Sequence, residues 1–400
     1  MKYIVVYCLL LAFVVTLAGC SSSMNMVQAQ KQDQVVMGNT KFAVEIFKVL
    51  NREDKDKNIF ISPLSISTAL TMTLNGADST TKEAMQEALF YKGLSMEEIN
   101  SGNKYLYQYL MNMDKRVAVD IANSIWIKEG YPIKQPFIDI NKDMFDAYVT
   151  ELDFSKAQAA DEINNWISDS TKGLIDRMID PPIPADVVMY LINAIYFKGD
   201  WTVPFEEKKT FEKDFRGLYE TSKVDMMRRK GDVEYYSNDR LKAVRLPYGK
   251  SEAYSMYAIL PDEESDINTL IEEFDINTWE KIRNGVKGRD EFELQIPKFT
   301  MEYGIKELKE ALTELGMGEA FSGGADFLLM SDNGLMLDNV LHKAKIEVNE
   351  KGSTAAAATV VVVKESAKLD NEFIADRPFL FVIADQTDGN ILFMGKMISP

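Results

Sequence analysis

The stretch that most limits how this chain can fold lies at residues 346–366, IEVNEKGSTAAAATVVVVKES. Its four alanines favour helix and its four valines favour strand, so local preference alone settles nothing. As a strand, it would place Ser353, Ala355, Ala357, Thr359, Val361 and Val363 on one face. Thr354, Ala356, Ala358, Val360 and Val362 would take the other. Neither face carries a charge or a proline. Such a segment can slide between existing strands without burying an unpaired charge or losing a ladder donor, and Gly352 supplies a hinge at its start. The pattern reads as built for insertion into a sheet.

The rest of the chain has the means to build that sheet. Of its 400 residues 46% are apolar and 10% aromatic, ample for a packed core. No fixed-period repeat interrupts it, and Pro and Gly are scattered rather than gathered into a linker. The net charge of −17, from 62 acidic and 45 basic residues, speaks against nucleic-acid, anionic-lipid or sulfated-polysaccharide partners.

The N-terminus carries an address. Lys2 is followed by a nearly unbroken apolar run over 4–17, then Ala18 and Gly19, the pattern of a secretory signal. Leu17-Ala18-Gly19-Cys20 looks like a bacterial-type lipobox, which makes Cys20 the lipidated residue at the end of a signal peptide over 1–20. Two plainer readings are that Cys20 merely neighbours an ordinary cleavage site, or that the run is an uncleaved anchor, for which it is short. Residues 21–35, rich in Ser and Gln, read as a flexible tether, and 36–400 as one folded domain. The only other cysteine, Cys8, lies inside the signal. The expected mature domain therefore has no thiol for an internal disulfide, a nucleophile or a metal site.

Phe42, Ile46, Val49 and Leu50 fall on one helical face, as do Ile163, Trp166 and Ile167 before Gly173, and both read as surface helices on a core. Val117, Val119, Ile121, Asn123, Ile125 and Ile127 alternate as in a strand, whereas 187–197 is almost wholly apolar and reads as a strand buried on both faces. Further strand-like pieces at 292–296, 344–348 and 379–383, without regular βαβ alternation, point to an α+β protein. His342, the only histidine, lies on an apolar strand face with Val340, Ala344, Ile346 and Val348. That setting suits a satisfied core histidine better than a catalytic base or ligand.

The run Val348-Asn349-Glu350-Lys351-Gly352-Ser353 followed by alanines resembles the hinge of the serpins, the start of their reactive-centre loop. Four other stretches match the family in order: NIFISPLSI at 58–66, LINAIYFKGDW at 191–201, Arg377-Pro378-Phe379, and LFMGK at 392–396. The resemblance runs from about residue 36 to Pro400. It implies one α+β domain of three β-sheets surrounded by about nine helices, with the reactive-centre loop exposed.

What the resemblance implies for function is suicide inhibition. A serine protease cuts the loop, and the loop then enters the main sheet before the acyl-enzyme can hydrolyse. The hinge would comprise Glu350, Gly352, Ser353, Thr354, Ala355, Ala356, Ala357 and Ala358. Counting from Glu350 puts the scissile bond at Ser366-Ala367, which suits an elastase-like or subtilisin-like target. Lys364 and Lys368 keep a trypsin-like target open, and Glu365 is a further alternative. His342 matches the shutter histidine, expected to bond the asparagine matched by Asn193. Ser62 and Ser65 match the shutter serines, and Trp201 the tryptophan where the hinge first enters. A plain structural role for each remains open.

No catalytic residue, metal or cofactor is expected, and the protein is expected to be a monomer outside the cytoplasm, held to the membrane only by its lipid. The alternative is a non-inhibitory serpin acting as a binding protein or chaperone. Such proteins typically carry a bulky or charged hinge residue, and Ser353 to Ala358 include none. A surface hydrolase using His342 finds no support, for no Gly-x-Ser-x-Gly elbow occurs.

Overall fold

A computed structural model describes residues 33–353 and 371–400. Nine α-helices occur among the described residues. The first spans 33–53, and its apolar surface exceeds the single face that periodicity suggests. Ala43, Val44 and Phe47 are buried along with Phe42, Ile46, Val49 and Leu50. A helix apolar on most sides is stable only inside the core, which is where this one lies. It also takes in residues 33–35, with Val35 fully buried, so the folded body reaches into the stretch that composition assigns to the tether.

Helix Pro63–Leu74 is the second central element. Ser62 caps it by accepting from the Ser65 N–H, and Pro63 opens it where no backbone donor is needed. Nearly every one of its residues is buried. Helix Ala159–Ser170 packs Ile163 and Ile167 into a smaller cluster with Trp126, Phe154 and Ile192.

Nine strands form one hydrogen-bonded network. Ile59–Ile61, Ile391–Met397, Phe379–Asp385, Tyr254–Pro261 and Leu241–Tyr248 lead into the long strand Thr221–Ser237. That strand also pairs with Lys287–Pro297 and Phe211–Arg216, and Glu372–Ile374 closes the far edge. A register shift between Gly231 and Val233 interrupts the pairing of the long strand with Lys287–Pro297. Tyr254–Pro261, Phe379–Asp385 and Ile391–Met397 are buried at every position. Phe60 stacks on Phe393 at 5.4 Å and on Phe381 at 5.8 Å at the centre of this packing.

A separate four-stranded sheet holds the site. Tyr148–Leu152, Val117–Lys128 and Met189–Asp200 lie side by side, and Gly352–Ser353 joins the last of these at its end. Lys345–Val348, the strand leading to the hinge, pairs instead with Phe299–Glu302 on its other side. Met189–Asp200 and Lys345–Val348 therefore face each other with no ladder between them among the described residues. Among the described residues the sheet is parted along this line and paired across it only at the top.

Candidate functional site

At the top of the parting the chain turns tightly over residues 349–353. Asn349 and Gly352 exchange backbone hydrogen bonds of 3.0 and 3.2 Å, and the Asn349 side-chain carbonyl accepts from the Lys351 N–H. Gly352 pairs with Asp200 and Ser353 with Gly199. The φ of Gly352 is 138°, and a Cβ built there would lie 2.2 Å from the Gly199 carbonyl oxygen and 2.6 Å from the Asp200 Cα. Only glycine fits this crossing.

Neighbouring side chains grip the turn. Trp201 is 5% exposed, stacks on Tyr248 at 4.4 Å and donates from Nε1 to the Asn349 carbonyl at 2.9 Å. Glu350 accepts from the Thr210 hydroxyl at 2.9 Å and pairs with Lys298 at 3.3 Å, while its carbonyl accepts from the Phe205 N–H. Burial alone would raise the Glu350 carboxyl. Its own backbone N–H, Thr210 and Lys298 outweigh that and hold it below the usual range.

Halfway down, the structure brings together Ser62, Ser65, Asn193 and His342, all buried. The Ser62 hydroxyl donates to the Leu392 carbonyl at 2.7 Å, and the Ser65 hydroxyl donates to the Asn193 carbonyl at 3.3 Å. One expectation is corrected here, for His342 does not bond Asn193. Its Nε2 accepts from the Ser62 N–H at 3.0 Å, while the Asn193 amide donates to Asn123 Oδ1 at 2.7 Å. His342 and Asn193 stand on opposite sides of the parting, and at this height no ladder among the described residues draws the two sides together. Among the described residues Asn193 Oδ1 is also buried without a partner.

Burial pushes the His342 imidazole down to about 3, so it is neutral with Nε2 free to accept. A neutral imidazole committed to a backbone donor is unsuited to act as a general base.

Between the strand edges lies a cavity of about 520 Å³, bordered by 187–193 on one side, 334–342 on the other and helix Pro63–Leu74 beneath. A smaller space continues upward between Ile195 and Phe197 on one edge and Lys345–Glu347 on the other, floored by Phe60, Ile383 and Phe393. The two spaces follow the parting, and along it both strand edges carry backbone groups without a strand partner among the described residues. Chemically this arrangement offers an extended segment a ladder on each side and an apolar floor.

Beyond this geometry, the chain resembles known proteins over most of its length. A family described as "Serpin (serine protease inhibitor)" matches residues 37–400. The chain belongs to the serpin family. It is 34% identical over 384 residues to an uncharacterized serpin-like protein of Methanosarcina acetivorans, covering 92% of this chain and 88% of the relative. It is 33% identical to the leukocyte elastase inhibitor of Bos taurus, covering 92% of this chain and all of that one. Among solved structures, the native state of the thermophilic serpin tengpin is similar with a TM-score of 0.81 and 33% identity. That match covers 91% of this chain and 94% of tengpin.

Within the serpin fold, Glu350, Gly352, Ser62, Ser65, Asn193, His342 and Trp201 all border the parting, and Ser353 pairs at its head. Thr354 and Ala355 to Ala358, the bond Ser366-Ala367, its alternatives Lys364, Glu365 and Lys368, and the lipidation site Cys20 lie outside the described residues. Sequence reasoning missed Asn123, Thr210, Tyr248 and Lys298. Asn123 alone left a trace, as the polar member of an otherwise apolar alternating face.

Proposed function

We propose that this serpin is an irreversible, suicide-substrate inhibitor of serine proteases, cut in the segment after the hinge and armed by insertion of that segment into the parted sheet. The carrying observation is the parting, with backbone on both edges that has no strand partner among the described residues and a glycine crossing at the point where the segment begins. Filling it with a strand of about a dozen residues would add roughly ten backbone hydrogen bonds at about 0.5–1.5 kcal/mol each. The sum, of order 10 kcal/mol, is comparable with the whole stability of an ordinary domain. That is enough to drag and deform an attached acyl-enzyme.

Cleavage at Ser366-Ala367 fits a protease with a small-residue preference, and resemblance to a leukocyte elastase inhibitor supports an elastase-like target. The lipobox-like ending at Cys20 supports a bacterial- or archaeal-type lipoprotein displayed outside the cytoplasm. The test incubates the full chain with elastase, subtilisin and trypsin in turn. The expected result is an SDS-resistant complex with elastase or subtilisin and a released fragment whose new N-terminus is Ala367. Cleaved product without complex, for every protease, would show a non-inhibitory binding protein or chaperone instead.

A further inference from the structure

The cavity between the strand edges changes in chemistry from one end to the other. Its volume of about 520 Å³ lies within the range of small-molecule sites. Asn193 borders its upper end and is 7% exposed. The Asn193 amide donates to Asn123 Oδ1, but its own Oδ1 has no donor among the described residues. A ligand that brings a hydroxyl or an amide N–H to this oxygen satisfies a buried acceptor that is otherwise left unpaired.

The middle of the cavity is apolar. Ile66 and Leu70 are buried beneath it, and Leu191 and Leu337 border it from either side. An aliphatic chain is at home there, whereas a charge at this depth would meet no partner. Four residues of extended strand separate Asn193 from Met189, about 13 Å, and a straight chain of about ten carbons covers that distance.

The lower end is acidic. Asp186 and Asp338 line it from opposite sides of the parting, both are exposed, and neither has an ion-pair partner among the described residues. The nearby cations are engaged elsewhere. Lys128 donates to the Ala185 carbonyl at 2.7 Å, and Lys343 pairs with Asp176 and Glu302. Burial pushes the Tyr190 hydroxyl up, and Asp338 and then Asp186 add to the rise, so both carboxylates stand near one phenol.

We propose that this cavity is a binding site for an amphiphilic organic cation, with its ammonium at Asp186 and Asp338, its aliphatic chain between the strand edges and a hydrogen-bond donor at Asn193 Oδ1. Binding there needs neither protease nor cleavage, so it is separate from the inhibitory mechanism.

The test titrates the uncut full chain by calorimetry, at low and high salt, with a straight-chain amino-alcohol of about ten carbons, kept below its micelle concentration. Its methyl ether removes the donor, and the hydroxy acid of equal length reverses the charge. The protein is compared with Asp186→Asn/Asp338→Asn and with Glu263→Gln/Glu264→Gln, a pair of exposed acids elsewhere on the surface. The amino-alcohol should bind at a single site, about three- to tenfold more weakly without the two cavity carboxylates and more weakly in high salt. It should bind the Glu263→Gln/Glu264→Gln protein as it binds the wild type. The methyl ether should bind about three- to tenfold more weakly than the alcohol, and the hydroxy acid more weakly still. No binding, equal binding to the Asp186→Asn/Asp338→Asn protein, or an equal loss in the Glu263→Gln/Glu264→Gln protein would overturn the site. So would a methyl ether or a hydroxy acid that binds as tightly as the amino-alcohol.

Discussion

The nine-stranded network and the parted sheet are made by one chain under one set of rules, yet they end in opposite conditions. Phe379–Asp385 has a strand on each edge, Tyr254–Pro261 and Ile391–Met397, and not one of its residues reaches solvent. Met189–Asp200 is paired along its length with Val117–Lys128 on one edge, but on the other, among the described residues, only at Gly199 and Asp200. The first region has used its hydrogen-bonding and apolar surface, and the second holds some in reserve. Stability here is therefore unevenly placed, and the shortfall is collected along a single line beneath the hinge.

The contrast predicts that damage to the complete region is large and indifferent to loop state. Phe381→Ala removes a fully buried ring that contacts Phe60, Phe299 and Phe379. It should cost about 3–5 kcal/mol in urea unfolding, in the uncut and the cut protein alike. A loss confined to one form would break the comparison.

At the parting the expected effect is smaller and depends on pH. His342 has a folded pKa of about 3 against an ordinary 6.5, so the unfolded chain takes up a proton first as pH falls. The stability this group contributes is complete above about pH 6.5 and is lost on descent toward pH 3, at about 1.4 kcal/mol per pH unit. Between pH 7.5 and 5 the wild type should lose about 2 kcal/mol more than His342→Gln, as read from urea midpoints. Parallel pH profiles for the two proteins would contradict this.

The smallest effect belongs to the turn itself. Trp201→Phe keeps an aromatic ring, though a smaller one, against Tyr248 but removes the bond to the Asn349 carbonyl, and it should lower the stability of the uncut protein by about 1 kcal/mol. An equal loss in the cut protein would mean that the bond outlasts the movement of the hinge.

Much of this arrangement was legible beforehand. The motif around Ser62 and Ser65, the strand bearing Asn193 and the lone His342 were expected to converge, and they do. The identity of the partner that His342 would take was not legible. It depends on how far two strands stand apart, and that distance is a tertiary quantity on which neither strand's sequence bears. The segment 187–197 read as buried on both faces, yet Met189, Tyr190 and Leu191 are only half-buried, and among the described residues no strand pairs with their outer edge. A strand with apolar residues on both faces announces that it belongs in the middle of a sheet, but not how far its second edge is covered. The first helix misled in the opposite direction, since its spacing showed one apolar face while Ala43, Val44 and Phe47 buried most of the rest.

The stacked indole of Trp201 has an optical consequence. Its ring lies on Tyr248 and its N–H is held by the carbonyl of Asn349, one residue before the first position expected to swing. Any withdrawal of that carbonyl changes the polarity around one of only four tryptophans in the chain. The fluorescence of the unlabelled protein would therefore report the moment of any such withdrawal.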